Sequence, residues 1–144
     1  MDIEIIADDL EFPEGPIAMP DGSIILVEIK GERLTRIRPD GSKETIAEIA
    51  GGPNGAALGP DGRIYICNNG GFEWREVMGQ TISGDAPPHY SGGAIQAVDL
   101  ETGAVETLYE EANGCRLSGP NDIVFDRTGG FWFTDHGKGH GRTR

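Results

Sequence analysis

Residues 53–68 read Pro-Asn-Gly-Ala-Ala-Leu-Gly-Pro-Asp-Gly-Arg-Ile-Tyr-Ile-Cys-Asn. A polar residue beside Pro, Asn54, opens the stretch. A short apolar run, the turn Pro60-Asp61-Gly62 and a second apolar run follow, and the stretch closes fourteen residues later on Asn68. The same pattern occurs twice more. Glu14-Gly15-Pro16 leads through Pro20-Asp21-Gly22 to Glu28, and Pro120-Asn121-Asp122 leads through Asp126, Gly129 and Gly130 to Asp135. An internal repeat decides architecture before any single residue does. It also places three oxygen-bearing side chains, Glu14, Asn54 and Asn121, at equivalent positions, and equivalent positions in a radial repeat converge on one axis.

Working outward, helical periodicity is almost absent and strand-like runs fill the chain. Pro-Asp-Gly turns separate them, Pro supplying the first central turn position and Gly a backbone free to take positive φ. Ile17–Met19, Ile24–Glu28, Arg33–Arg38 and Ser42–Ile49 read as one antiparallel meander. Ala56–Leu58, Ile64–Asn68, Ala94–Asp99 and Ala104–Tyr109 read as a second, and Ile123–Phe125 with Phe131–Asp135 begins a third. Four-stranded units repeating in this way predict an all-β fold of β-propeller blades. The whole of 1–144 reads as the N-terminal portion of one propeller domain, with blade 1 at about 12–50, blade 2 at about 51–112 and a partial blade 3 at about 116–144. The step from Asn54 to Asn121 is 67 residues against 40 from Glu14 to Asn54, so blade 2 carries an insertion, at 70–93. A long loop at a fixed place in a repeat is either a binding lid or a surface loop with a satellite cluster, here around Trp74 and Tyr90. A further strand is expected at Ile3–Ala7, with no evident partner in the blades present, since such a strand completes the last blade of a closed propeller.

Acids outnumber bases 24 to 12, for a formal charge of −12. Such a surface disfavours nucleic acid and anionic membrane and attracts cations. Cys67 lies in a strand expected to be buried and Cys115 in a loop, so no disulfide framework is expected. Met1-Asp2-Ile3-Glu4 shows no basic segment of a signal peptide, and no apolar run is long enough to span a bilayer. A cytoplasmic location is the expectation.

Phe12-Pro13-Glu14-Gly15-Pro16, Gly52-Pro53-Asn54-Gly55 with Gly59-Pro60-Asp61-Gly62, and Ser118-Gly119-Pro120-Asn121-Asp122 with Phe131-Trp132-Phe133-Thr134-Asp135 resemble the first three blades of the SMP-30/gluconolactonase/LRE family, in that family's order. The resemblance implies a six-bladed propeller, of which about two and a half blades are present. It implies one divalent cation in the central channel, usually calcium, with other oxygen-preferring ions or Zn²⁺ as alternatives. It implies hydrolysis of a sugar lactone or a related ester-like bond. By the same resemblance Glu14 and Asn121 correspond to metal ligands. Asn54 stands at the matching inner position, as a substrate contact or ligand, or as a turn residue bonding its own backbone. The family's remaining ligands, including an Asp expected to act as general base, belong to later blades and would lie beyond Arg144. Gly119 stands where some members place a substrate-binding Arg, and His136 where relatives often have Pro.

The residue chemistry agrees with a hard cation. A carboxylate mixed with amide oxygens suits Ca²⁺, whereas zinc favours His and Cys. His136 and His140 stand four apart, but flanking glycines argue against a helix that would bring them onto one metal. Asp122 and Asp135 can line the channel or hold loops through backbone N–H groups, and the latter is expected of Asp122. Two functions follow. One is the N-terminal half of a metal-dependent lactonase, inactive alone, acting on a small-molecule lactone. The other is a non-catalytic propeller fragment that binds or assembles, pairing its open blade edges with a complementary half-propeller or another copy.

Overall fold

The computed structural model describes residues 3–139. Strands β1 (Pro13–Ala18), β2 (Ile24–Glu28), β3 (Arg33–Ile37) and β4 (Lys43–Glu48) form an antiparallel sheet in chain order. β5 (Pro53–Leu58) and β6 (Ile64–Asn68) begin a second sheet. An inserted hairpin, β7 (Trp74–Val77) and β8 (Gln80–Ser83), intervenes before β9 (Ala94–Val98) and β10 (Val105–Tyr109) complete that sheet in the order β5-β6-β9-β10. A small hairpin, β11 (Glu111–Ala112) and β12 (Cys115–Arg116), leads to the paired strands β13 (Pro120–Phe125) and β14 (Phe131–Asp135). These are two complete four-stranded blades and the first half of a third, as the repeat predicts. There is no helix among the described residues.

Local chemistry explains the turns. In Met19-Pro20-Asp21-Gly22 the Met19 carbonyl accepts the Gly22 N–H at 3.0 Å, and Gly22 takes φ +82°. Asp21 Oδ1 then accepts both the N–H and the hydroxyl of Ser23. Asp40 repeats this with Ser42, and Asp126 with Thr128. Each Asp satisfies the backbone donors that the turn leaves open, which is why the motif recurs.

The blades stack through apolar side chains. Ile25, Val27, Leu34 and Ile49 of blade 1 meet Ile64, Ile66 and Val98 of blade 2 in one buried cluster. Cys67 and Ile95 meet Leu117 and Ile123 in a second, flanked by Tyr65, Phe131 and Phe133. The first strands sit side by side, β5 lying between β1 and β13. The outer strand β4 is mostly exposed, while β2 is buried along nearly its whole length.

Ile3–Ala7 forms no strand. Ile3 and Ile5 are 87% and 81% exposed, because no neighbouring strand among the described residues offers this segment a ladder. Two hairpins absent from the sequence reading are present instead. Met78-Gly79 and Asn113-Gly114 each take positive φ at both positions, the geometry of a tight two-residue hairpin turn.

Candidate functional site

Each blade begins with the same pairing. Pro13 stands opposite Glu28, Pro53 opposite Asn68 and Pro120 opposite Asp135, and in each case the register then shifts within the next three residues. A bulge at this point re-aims side chains that a regular strand would send to alternate faces. Glu14, Asn54 and Asn121 stand at these irregularities, and all three line one cavity of about 290 Å³. Within it Asn54 Nδ2 donates to Asn121 Oδ1 at 2.9 Å. Glu14 is exposed at the cavity wall, and both amides are half-buried.

Two glycines bring the three strands this close. A Cβ on Gly15, which has φ +55°, would lie 2.6 Å from the Ala56 backbone nitrogen. A Cβ on Gly55 would strike the carbonyl oxygen of Asn121 and the Cα of Asp122. At the third equivalent position stands Asp122, which also lines the cavity.

The residues closing each repeat are clamps. Glu28 is 1% exposed and accepts the Glu11 N–H at 2.6 Å, the Arg33 guanidinium at 2.8 and 2.9 Å, and the Thr35 hydroxyl at 2.6 Å. Burial pushes its pKa up, but the Arg33 guanidinium and the two other donors prevail and hold it at about 2. Asn68 Oδ1 accepts the Gly52 and Gly70 N–H groups, each at 2.9 Å. Asp135 accepts the N–H groups of Ser118, Gly119 and Gly137, which outweigh its burial and lower its pKa. All three therefore fix the backbone that enters the strand carrying Glu14, Asn54 or Asn121. The loop-holding role expected of Asp122 belongs to Asp135; Asp122 Oδ1 accepts only the adjacent Ile123 N–H among the bonds found for it. The clue lay in the repeat, since Asp135 is the counterpart of Glu28 and Asn68.

Antiparallel pairing puts the start of β5, the end of β6 and the end of β14 at the same end of the blades. The insertion therefore leaves the blades at the end where Glu14, Asn54 and Asn121 stand. On one side it meets blade 1, where Trp74 packs on Phe12 and Lys30 Nζ lies 3.5 Å from Glu76 Oε1 and 3.4 Å from Thr81 Oγ1. On the other it meets blade 3, where the Tyr90 hydroxyl donates to the Ser118 carbonyl and Lys138 Nζ donates to Asn69 Oδ1 and the Gly71 carbonyl. Trp74 and Tyr90 anchor its two sides, and Phe72 and Lys138 link them into one cluster. Burial lowers the Lys138 pKa to about 8.

Cys67 is a core residue whose thiol burial pushes up to about 12, the carboxylates of Asp122 and Asp135 adding to the effect. Cys115 is free and exposed. His136 is exposed, and the His136/His140 spacing falls partly outside the described residues. Among the described residues no three His, Cys, Asp or Glu side chains gather as a metal cluster, so any cation held in the cavity depends on the amides as well as on Glu14.

Residues 12–144 match the SMP-30/gluconolactonase/LRE-like region. The chain belongs to this family. A gluconolactonase of Zymomonas mobilis is 28% identical over 92% of this chain, and the lactonase drp35 of Staphylococcus haemolyticus is 30% identical over 85% of it. The solved structure of a gluconolactonase from Xanthomonas campestris superposes with a TM-score of 0.68 at 25% identity, covering 90% of this chain and 37% of that one. The chain spans about a third of the length of the two curated relatives, 35% and 32%.

Proposed function

We propose that the cavity between β1, β5 and β13 is part of a divalent-metal-dependent lactonase site, in which Glu14 and Asn121 are cation ligands and Asn54 faces the substrate. The observation behind this is the convergence of Glu14, Asn54 and Asn121, from equivalent positions of three repeats, on one cavity of a gluconolactonase-like chain, with Asp122 beside them. The donor set fits a hard cation such as Ca²⁺, which takes six to eight oxygens from carboxylates, amide carbonyls and water. When bound, the cation would polarise a lactone carbonyl and lower the pKa of a coordinated water. Glu14 supplies negative charge. Asn54 donates to the Asn121 amide oxygen, and that oxygen keeps a second lone pair free for a cation. No residue of this chain is assigned the general-base role.

Gluconolactone hydrolysis by this chain completed with the later blades of the propeller, with and without a chelator, and by its Glu14→Gln variant, tests the reading. Activity should fall with chelation, return on adding Ca²⁺, and drop by about 100-fold or more in Glu14→Gln, the scale seen when a group stabilising transition-state charge is lost. Undiminished hydrolysis in Glu14→Gln would contradict it.

One observation favours the second reading, a non-catalytic binding or assembly role. Val124 and Trp132 are 62% and 72% exposed and, with Ile123 and Phe133, line an apolar cleft on the face of β13 and β14. Sedimentation separates the two readings: a stable 15.4 kDa monomer argues against assembly through this face.

A further inference from the structure

Phe12 has φ +62°, a conformation that bulky side chains rarely adopt. Such backbone strain collects at functional sites, where surrounding contacts hold it in place. The contact here is Trp74, whose ring centroid is 4.9 Å from that of Phe12 at an angle of 53°. Phe72 continues the row edge-on to Trp74 at 5.9 Å. Lys138 Nζ caps it, 3.4 Å from the Phe72 centroid. The row thus crosses from blade 1 through the insertion to the segment after β14, and Phe12 stands two residues before Glu14 in the chain. All three rings remain half-exposed, so none is consumed by the core.

Polar groups border the row. Lys138 Nζ donates at 3.0 Å to Asn69 Oδ1 and at 2.5 Å to the Gly71 carbonyl, which fixes which end of the Asn69 amide is the oxygen. Asn69 is 2% exposed, and its Nδ2 is buried with no partner. A buried donor of this kind calls for a water or a ligand oxygen. Apolar ring faces beside amide and ammonium donors suit a ring with one apolar face and a rim of hydroxyl groups.

We propose that Phe12 and Trp74, beside the start of the strand that carries Glu14, form a substrate subsite that stacks on the apolar face of a polyhydroxylated ring, with Lys138 as the positioning residue that holds Phe72 and the insertion against it. The subsite rests on the lactonase reading and says which part of the chain selects the substrate. It does so through the insertion, which the first blade does not carry.

The test is calorimetric titration of the protein, in saturating Ca²⁺, with the lactam analogue of gluconolactone, which keeps the ring and hydroxyls but resists hydrolysis. Trp74→Ala should weaken lactam binding by about tenfold, the worth of one stacked aromatic contact. Trp74→Phe should restore most of it, and calcium affinity should match wild type in both. Lactam affinity in Trp74→Ala equal to wild type would overturn the subsite while leaving the lactonase reading standing. A wild-type protein that binds Ca²⁺ but no lactam would overturn both. Should Trp74→Ala fail to fold, Phe12→Leu gives the same reading, with weaker lactam binding expected and unchanged binding contradicting the proposal.

Discussion

Asn54 and Asn121 share one hydrogen bond, and its direction matters: the Asn54 amide gives the hydrogen and the Asn121 oxygen receives it. Asn54 thereby sets the orientation of a proposed ligand. Removing it leaves Glu14 and Asn121 in place but lets the Asn121 amide rotate. Asn54→Ala should lower calcium affinity about 10–100-fold, the usual cost of losing a group that orients a ligand, and less than Glu14→Gln does. Paired calcium titrations of the two variants check the order. Glu28 makes a different residue-scale prediction. Its folded pKa, about 2, lies below the ordinary 4.5, so its stabilisation is complete above about pH 4.5 and is lost as pH falls towards 2. The shift corresponds to roughly 3 kcal/mol. Chemical denaturation at pH 6 and pH 3 should show wild type losing more stability on acidification than Glu28→Gln; equal losses would mean that Glu28 gains nothing from Arg33.

At the scale of elements, the three inner strands depend on close approach. Gly55 has no room for a methyl group against the Asn121 carbonyl and Asp122. Gly55→Ala should cost about 1–3 kcal/mol by overpacking, read as a lower denaturation midpoint, and should weaken calcium binding by displacing Asn121 from Glu14. A fully stable Gly55→Ala variant with normal calcium affinity would show that this contact does not position the site. The strands of blades 1 to 3 and the convergence of Glu14, Asn54 and Asn121 were legible in the sequence because each repeat carries its own turn chemistry. Asp21, Asp40 and Asp126 write their turns locally. The bulges at Glu14, Asn54 and Asn121 were not legible, since a register shift is set by the partner strand. Nor was the positive φ of Phe12 or its packing on Trp74, about sixty residues away in the chain. Asn113-Gly114 was a readable hairpin signal that its short, exposed flanks obscured. Ile3–Ala7 misled because alternating apolar residues describe a strand only where a neighbour exists to pair with it.

At the scale of the molecule, two complete blades and half of a third place Glu14, Asn54, Asn121 and Asp122 around a common cavity, and an insertion is tied to the blades on either side. The net charge of −12 favours a cation there over an anion. Family membership makes a lactone the expected substrate class, and the cavity's oxygen donors make a hard cation the expected partner. Glu14 and Asn121 are the proposed ligands of that cation. Calorimetric titration of Ca²⁺ into wild type, Glu14→Gln and Asn121→Ala tests this most directly. One site per chain is expected in wild type, with affinity reduced about tenfold or more in each variant. Calcium binding in both variants that equals wild type would contradict the account.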